Sequence, residues 1–109
     1  MNPTEKEIQN FTLSLFNFNG YYLWRNNSFA TSVESSSGRK HFIRAGKKGS
    51  ADLIGVTPKG MFIALEIKRR GGRQSEWQKL FQSEVEQRGG IYVLISSIEQ
   101  AEREVIKYA

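Results

Sequence analysis

Two periods of apolar and polar residues alternate along the chain. Over residues 4–18 the period is helical, with Ile8, Phe11, Leu15 and Phe18 on one face. Thr4 with Glu7 three residues on forms a capping-box pattern at its start, and Asn17, Asn19 and Gly20 end it. Tyr21-Tyr22-Leu23-Trp24-Arg25 reads as an aromatic strand, broken by Asn26-Asn27-Ser28. Residues 30–38 carry no core pattern and read as a polar, mobile surface loop. Arg39–Arg44 is a short basic strand or extended segment, followed by a glycine-rich basic loop over 45–50. Two apolar runs, 51–57 and 61–67, then flank Pro58-Lys59-Gly60. Pro presets a turn and Gly60 can take the positive φ that closes a three-residue hairpin loop.

The second half of the chain is helix, strand, helix. Ser75 with Gln78 opens a capped helix through Arg88, whose apolar face is Trp77, Leu80, Phe81 and Val85. Gly89-Gly90 terminates it. Ile91–Ile95 is a continuous apolar run, as in a buried strand, and Ser97 caps a final helix over 98–107 with Ile98, Ala101, Val105 and Ile106 apolar. A strand reached through a helix pairs parallel with 61–68. The pattern therefore predicts an α/β domain with one mixed central sheet flanked by helices, in the order α-β-β-β-α-β-α, with 39–44 as a further strand.

The hairpin carries the chemistry. If Thr57 pairs with Met61, counting outward sets Asp52 opposite Glu66, and Lys68 stands two residues along on the same face. Paired side chains across antiparallel strands are about 4.5–5.5 Å apart at Cβ, and like charges there repel. The two carboxylates can share a proton, take Lys68 as counter-ion, or hold a metal ion; hard oxygen donors suit Mg²⁺ or Mn²⁺. Glu7 has a sufficient role in its capping box and is also a candidate third acid. Gln78 has, from the residues alone, only a capping role.

Composition narrows the partners. The 109 residues suit one domain over 1–109, with 39% hydrophobic residues for its core. Sixteen Lys and Arg against eleven Asp and Glu give a net charge of +5, which favours a polyanion. The absence of cysteine excludes disulfides and Cys-ligated zinc. No secretory pattern or membrane-length apolar run is present, so a cytoplasmic protein is expected. Basic residues bracket the acids: Arg39, Lys40, Arg44, Lys47 and Lys48 with Ser50 before, and Arg69, Arg70 and Arg73 after. Such loops track phosphates without reading bases. Tyr21, Tyr22, Trp24 and Trp77 could stack on unpaired bases, but their places in apolar patterns assign them to the core. His41, with no partner motif, reads as a partly exposed strand residue.

Gly49-Ser50-Ala51-Asp52 followed by Glu66-Ile67-Lys68 resembles the D…ExK core of the PD-(D/E)XK (restriction-endonuclease-like) nuclease superfamily. Trp24-Arg25-Asn26, the glycine approach from Gly46 to Asp52, Gln78 on the next helix, Gly89-Gly90 before an apolar strand and an early acid at Glu7 resemble its VRR-NUC (virus-type replication-repair nuclease) family, in its stand-alone phage form. The polar 28–40 segment departs from that pattern. The resemblance implies a metal-dependent DNA endonuclease using Mg²⁺ or Mn²⁺. Asp52, Glu66 and the Ile67 backbone carbonyl would be metal ligands, Lys68 would position or activate water, Gln78 would orient Lys68 or the phosphate, and Glu7 would complete the acidic site. It further implies branched DNA such as Holliday junctions as substrate, bound by a homodimer in a host-cell cytoplasm. Leu13 and Phe16, left over from the first helix's main face, are the expected dimer surface. A nicking, flap or nonspecific nuclease and a non-catalytic DNA-binding module of the same fold are the competing readings.

Overall fold

A computed structural model of the chain describes residues 2–27 and 29–109, apart from the side chains of 29–33 and 42–45. Helix α1 (Glu5–Phe18) leads into strands β1 (Tyr22–Arg25), β2 (Phe29–Glu34), β3 (Lys40–Ala45), β4 (Leu53–Val56) and β5 (Phe62–Ile67). Helix α2 (Glu76–Gln87), strand β6 (Ile91–Ile95) and helix α3 (Ile98–Lys107) complete it. Four strands form a mixed sheet in the order β1-β4-β5-β6, while β2 and β3 pair in a ribbon of their own. The β5–β6 pairing is parallel and the others are antiparallel, as the helical connection requires.

The hairpin closes as its sequence predicts. Thr57 N–H donates to Met61 O (2.8 Å), Gly60 N–H donates to Thr57 O (2.9 Å), and Gly60 adopts φ +85°. Residues with odd numbers on β4 and β5 face α1 and α3, where Leu53, Ile63, Leu65 and Ile67 meet Ile8, Phe16, Ala101 and Val105 in the main core. Even-numbered residues face α2, where Ala64 and Tyr92 meet Phe81 and Val85. Asn17 clamps the outer edge of β1, donating to Leu23 O (3.0 Å) and accepting from Leu23 N–H (2.8 Å).

Four expectations are corrected. Residues 29–34 are a strand paired with 40–45, not part of a loop, because a backbone-bonded ribbon outside the main sheet need not show an alternating apolar face. The buried stripe of α1 is Ile8, Thr12 and Phe16, and Phe18 is 90% exposed. Phe16 is fully buried, edge-on to Tyr21 at 4.7 Å between ring centroids, so it offers no dimer surface. Tyr21 is core, with its hydroxyl donating to Val105 O (2.8 Å), whereas Tyr22, Trp24 and Trp77 are exposed.

Candidate active site

Asp52 and Glu66 meet one step beyond the last β4–β5 pair, Leu53 with Leu65. Thr57 and Met61 form a hydrogen-bonded pair, and the alternation of the antiparallel ladder makes 52/66 a non-hydrogen-bonded position, where side chains stand closest. Here the β4 backbone has left the ladder, and its side chain replaces it: Asp52 Oδ2 accepts the Ile67 N–H (2.8 Å). Glu66 is 4% exposed, and its Oε1 is buried with no hydrogen-bond partner. Burial first, then the charge of Asp52 and a hydrogen bond to it, push the Glu66 carboxyl up to about 8; Lys68 pulls the other way and Glu5 adds to the rise.

The loop before Asp52 is tied down from two sides. Asn26 donates its amide to Ser50 Oγ (2.7 Å) and Ala51 O (2.9 Å), while its backbone N–H donates to Asp52 O (2.8 Å). Ser50 Oγ donates to Lys47 O (2.7 Å), so this hydroxyl is engaged within the loop. On the other side Gly49 lies against the first turn of α2: a Cβ there would sit 2.4 Å from Trp77 O. Lys48 Nζ is 4.4 Å from the Trp77 ring centroid, a cation–π contact.

The remaining expected residues divide. Lys68, half-buried, stands with the acids, and its charge is felt by Glu66. Glu7 is in its capping box, with Oε1 accepting the Thr4 N–H (3.0 Å), and those bonds hold its carboxyl below the usual value. The first-helix acid that reaches the site is Glu5, whose Oε2 accepts the Arg69 N–H (2.8 Å) and whose charge acts on Glu66. Gln78 caps α2, its Oε1 accepting the Ser75 N–H (2.8 Å). Arg69 and Arg70 line a cleft of about 770 Å³ beside Glu5 and Ser97, and Arg73 is exposed. Arg39 and Lys40 lie at the turn end of the ribbon, and the Arg44 side chain lies outside those described.

Sequence reasoning missed Tyr92 and Gln74 beside the acids. Gln74 Nε2 donates to the Tyr92 hydroxyl (3.1 Å) and to Gln82 Oε1 (3.0 Å). Burial, opposed by Gln74 and reinforced by Glu66 and Asp52, pushes the Tyr92 phenol up to about 12. Within an unbroken apolar run a tyrosine gives no sign that its hydroxyl has a task. Among the described residues no group of three or more His, Cys, Asp or Glu side chains converges as a metal cage.

A solved VRR_NUC domain superposes on 96% of this chain and 97% of its own length, with a TM-score of 0.69 and 19% sequence identity. The chain has the VRR_NUC fold. No family model and no curated protein matches it. No helix among the described residues is long and apolar enough to cross a membrane.

Proposed function

We propose that the chain is a divalent-metal-dependent, structure-selective DNA endonuclease that hydrolyses phosphodiester bonds, with branched DNA such as four-way junctions as substrate for a homodimer. The observation that carries the reading is the acid pair. A strand that needed only to pack would have an apolar residue at 66, since a buried carboxyl oxygen left without a hydrogen-bond partner costs about 1–3 kcal/mol. Glu66 keeps such an oxygen opposite a second acid. The VRR_NUC fold supports the assignment.

The donor set fits a hard cation. Asp52, the unpartnered oxygen of Glu66 and the Ile67 carbonyl would hold it; in an extended strand that carbonyl faces the same edge as the N–H bound by Asp52. A bound Mg²⁺ or Mn²⁺ would supply a Lewis acid for the phosphoryl oxygen and acidify water. Lys68 places a positive charge where negative charge develops on the phosphate. Glu5, in the place first given to Glu7, adds acidic field from the end of α1 and fixes Arg69 through its backbone. Gln78, with its oxygen held by the cap, has only its amide NH₂ free and would donate it to the phosphate. Lys47, Lys48, Arg70 and Arg73 flank the acids and hold the DNA backbone.

A cleavage panel of four-way, flapped, gapped and linear DNA with Mg²⁺, Mn²⁺ or EDTA tests this. Symmetric paired cuts in the junction, with metal only, are expected. Scattered nicks in supercoiled plasmid would assign a nicking nuclease instead, and binding without cleavage a non-catalytic module. Asp52→Ala is expected to lower cleavage by roughly a hundredfold or more, as removal of a group at the reacting centre does, while leaving the fold and most DNA binding intact. Activity that survives this change rules out the site.

A further inference from the structure

The sheet face that carries Asp52 and Glu66 is only half covered. No residue of α2 is fully buried; Phe81 and Val85 pack over Ala64 and Tyr92, on the β5–β6 side. The other side of the face ends at the edge strand β1. Trp24 pairs with Ile54, which pairs with Ala64, and Tyr22 pairs with Val56, which pairs with Phe62. Directly paired residues project from the same side of a sheet, so both rings share the face of the acid pair. Trp24 is one strand across and two residues along from Asp52, about 8 Å at the backbone by ordinary strand spacings.

These rings are not core. Tyr22 is 71% and Trp24 47% exposed, and they meet edge-to-face with centroids 5.6 Å apart. Two strands across from Tyr22, at Phe62, a cleft of about 740 Å³ opens under α2, lined also by Lys47, Lys48 and the Arg88–Glu84 ion pair. Exposed π faces with a cationic border suit a single nucleic-acid strand, whose bases stack on aromatics while its phosphates meet cations. Inside a duplex the base faces are already stacked, so a ring on a sheet face can engage only a base that is unpaired.

We infer that Tyr22 and Trp24 form a stacking platform for an unpaired base next to the scissile phosphate, supplied by a base that unpairs at a branch point or by a gap, so that an unpaired position beside the cut tightens binding. This rests on the nuclease reading of the acid pair. The occupant is a nucleobase: the platform adjoins the acids, the surrounding loops are basic, and the chain's net charge is +5.

The test compares binding of a gapped duplex and its intact counterpart by the full chain in EDTA, with 2-aminopurine at the unpaired position. Wild type is expected to bind the gapped DNA at least about fivefold more tightly and to quench the probe, as one base–aromatic stack predicts. Trp24→Ala is expected to bring the affinity ratio close to one and abolish the quench, with Trp24→Phe restoring most of both; circular dichroism checks the fold of each. An unchanged ratio in Trp24→Ala overturns the platform, while metal-dependent cleavage by wild type leaves the nuclease reading standing. Loss of a dimer in Trp24→Ala with no change in ratio also overturns it, assigning the rings to a contact between copies. Wild type that neither binds nor cuts any DNA overturns both.

Discussion

At the scale of single residues, Glu66 links stability to function. In the fold its carboxyl titrates at about 8, against 4.5 for the ordinary side chain. Between those values the folded chain binds the extra proton, so stability is full below pH 4.5 and falls as the pH rises toward 8. The difference corresponds to about 5 kcal/mol over the whole range, of which roughly 3.5 kcal/mol is lost between pH 5 and pH 8. Urea melts in EDTA at pH 5 and pH 8 are expected to show this fall in wild type. Glu66→Gln removes the titration and is expected to be the more stable protein at pH 8. Mn²⁺ in place of EDTA favours the ionised carboxylate and should flatten the wild-type profile without changing that of Glu66→Gln. Parallel profiles for the two proteins in EDTA would show that Glu66 ionises in the fold as an ordinary carboxylic acid.

At the scale of elements, the site depends on a loop pressed against a helix. Gly49 has φ +79° and no room for a Cβ beside the Trp77 carbonyl. Gly49→Ala is expected to cost roughly 1–3 kcal/mol from backbone strain alone. Relief of the contact would move the 46–50 loop, and Asp52 with it. Cleavage, measured where the variant is fully folded by urea melt, should therefore fall further than wild-type cleavage does under an equal loss of stability. The hairpin register was legible because pairing follows from counting outward from a turn whose residues set its length. Caps were legible because their polar partners sit at fixed offsets, and both boxes form as Thr4–Glu7 and Ser75–Gln78 predict. The α1 stripe was obscured because its middle member, Thr12, is polar yet buried. Glu5 was passed over for Glu7 because which acid nears the β5 end depends on how α1 meets the sheet, and no local pattern encodes that. Exposure of Tyr22 and Trp24 follows from how much of the sheet α2 leaves uncovered, which likewise belongs to packing rather than sequence.

At the scale of the whole molecule, the basic residues serve two distances. The radius of gyration is 15.7 Å, where a compact chain of this length would have about 13 Å, and the longest axis is 53 Å. This excess fits a β2–β3 ribbon that projects from the body, with Arg39 and Lys40 at its turn end, roughly 17 Å from the Phe29–Ala45 pair at its root. Lys47 and Lys48 instead lie in the loop that leads into Asp52, and Arg70 and Arg73 in the loop that follows Lys68. A short duplex centred on the site would meet only the second group, whereas a branched DNA with a long arm would meet both. Each phosphate neutralised on duplex DNA contributes about −0.9 to the slope of log affinity against log salt. Arg39→Ala with Lys40→Ala is therefore expected to make the slope shallower by about 1–2 on a four-way junction and to leave a ten-base-pair duplex unaffected. Lys47→Ala with Lys48→Ala should reduce the slope on both. Anisotropy titrations in EDTA across a salt series measure the six slopes, wild type and both double variants on each DNA. An equal effect of the ribbon substitutions on both DNAs would mean that the ribbon tip folds over the site instead of reaching along an arm.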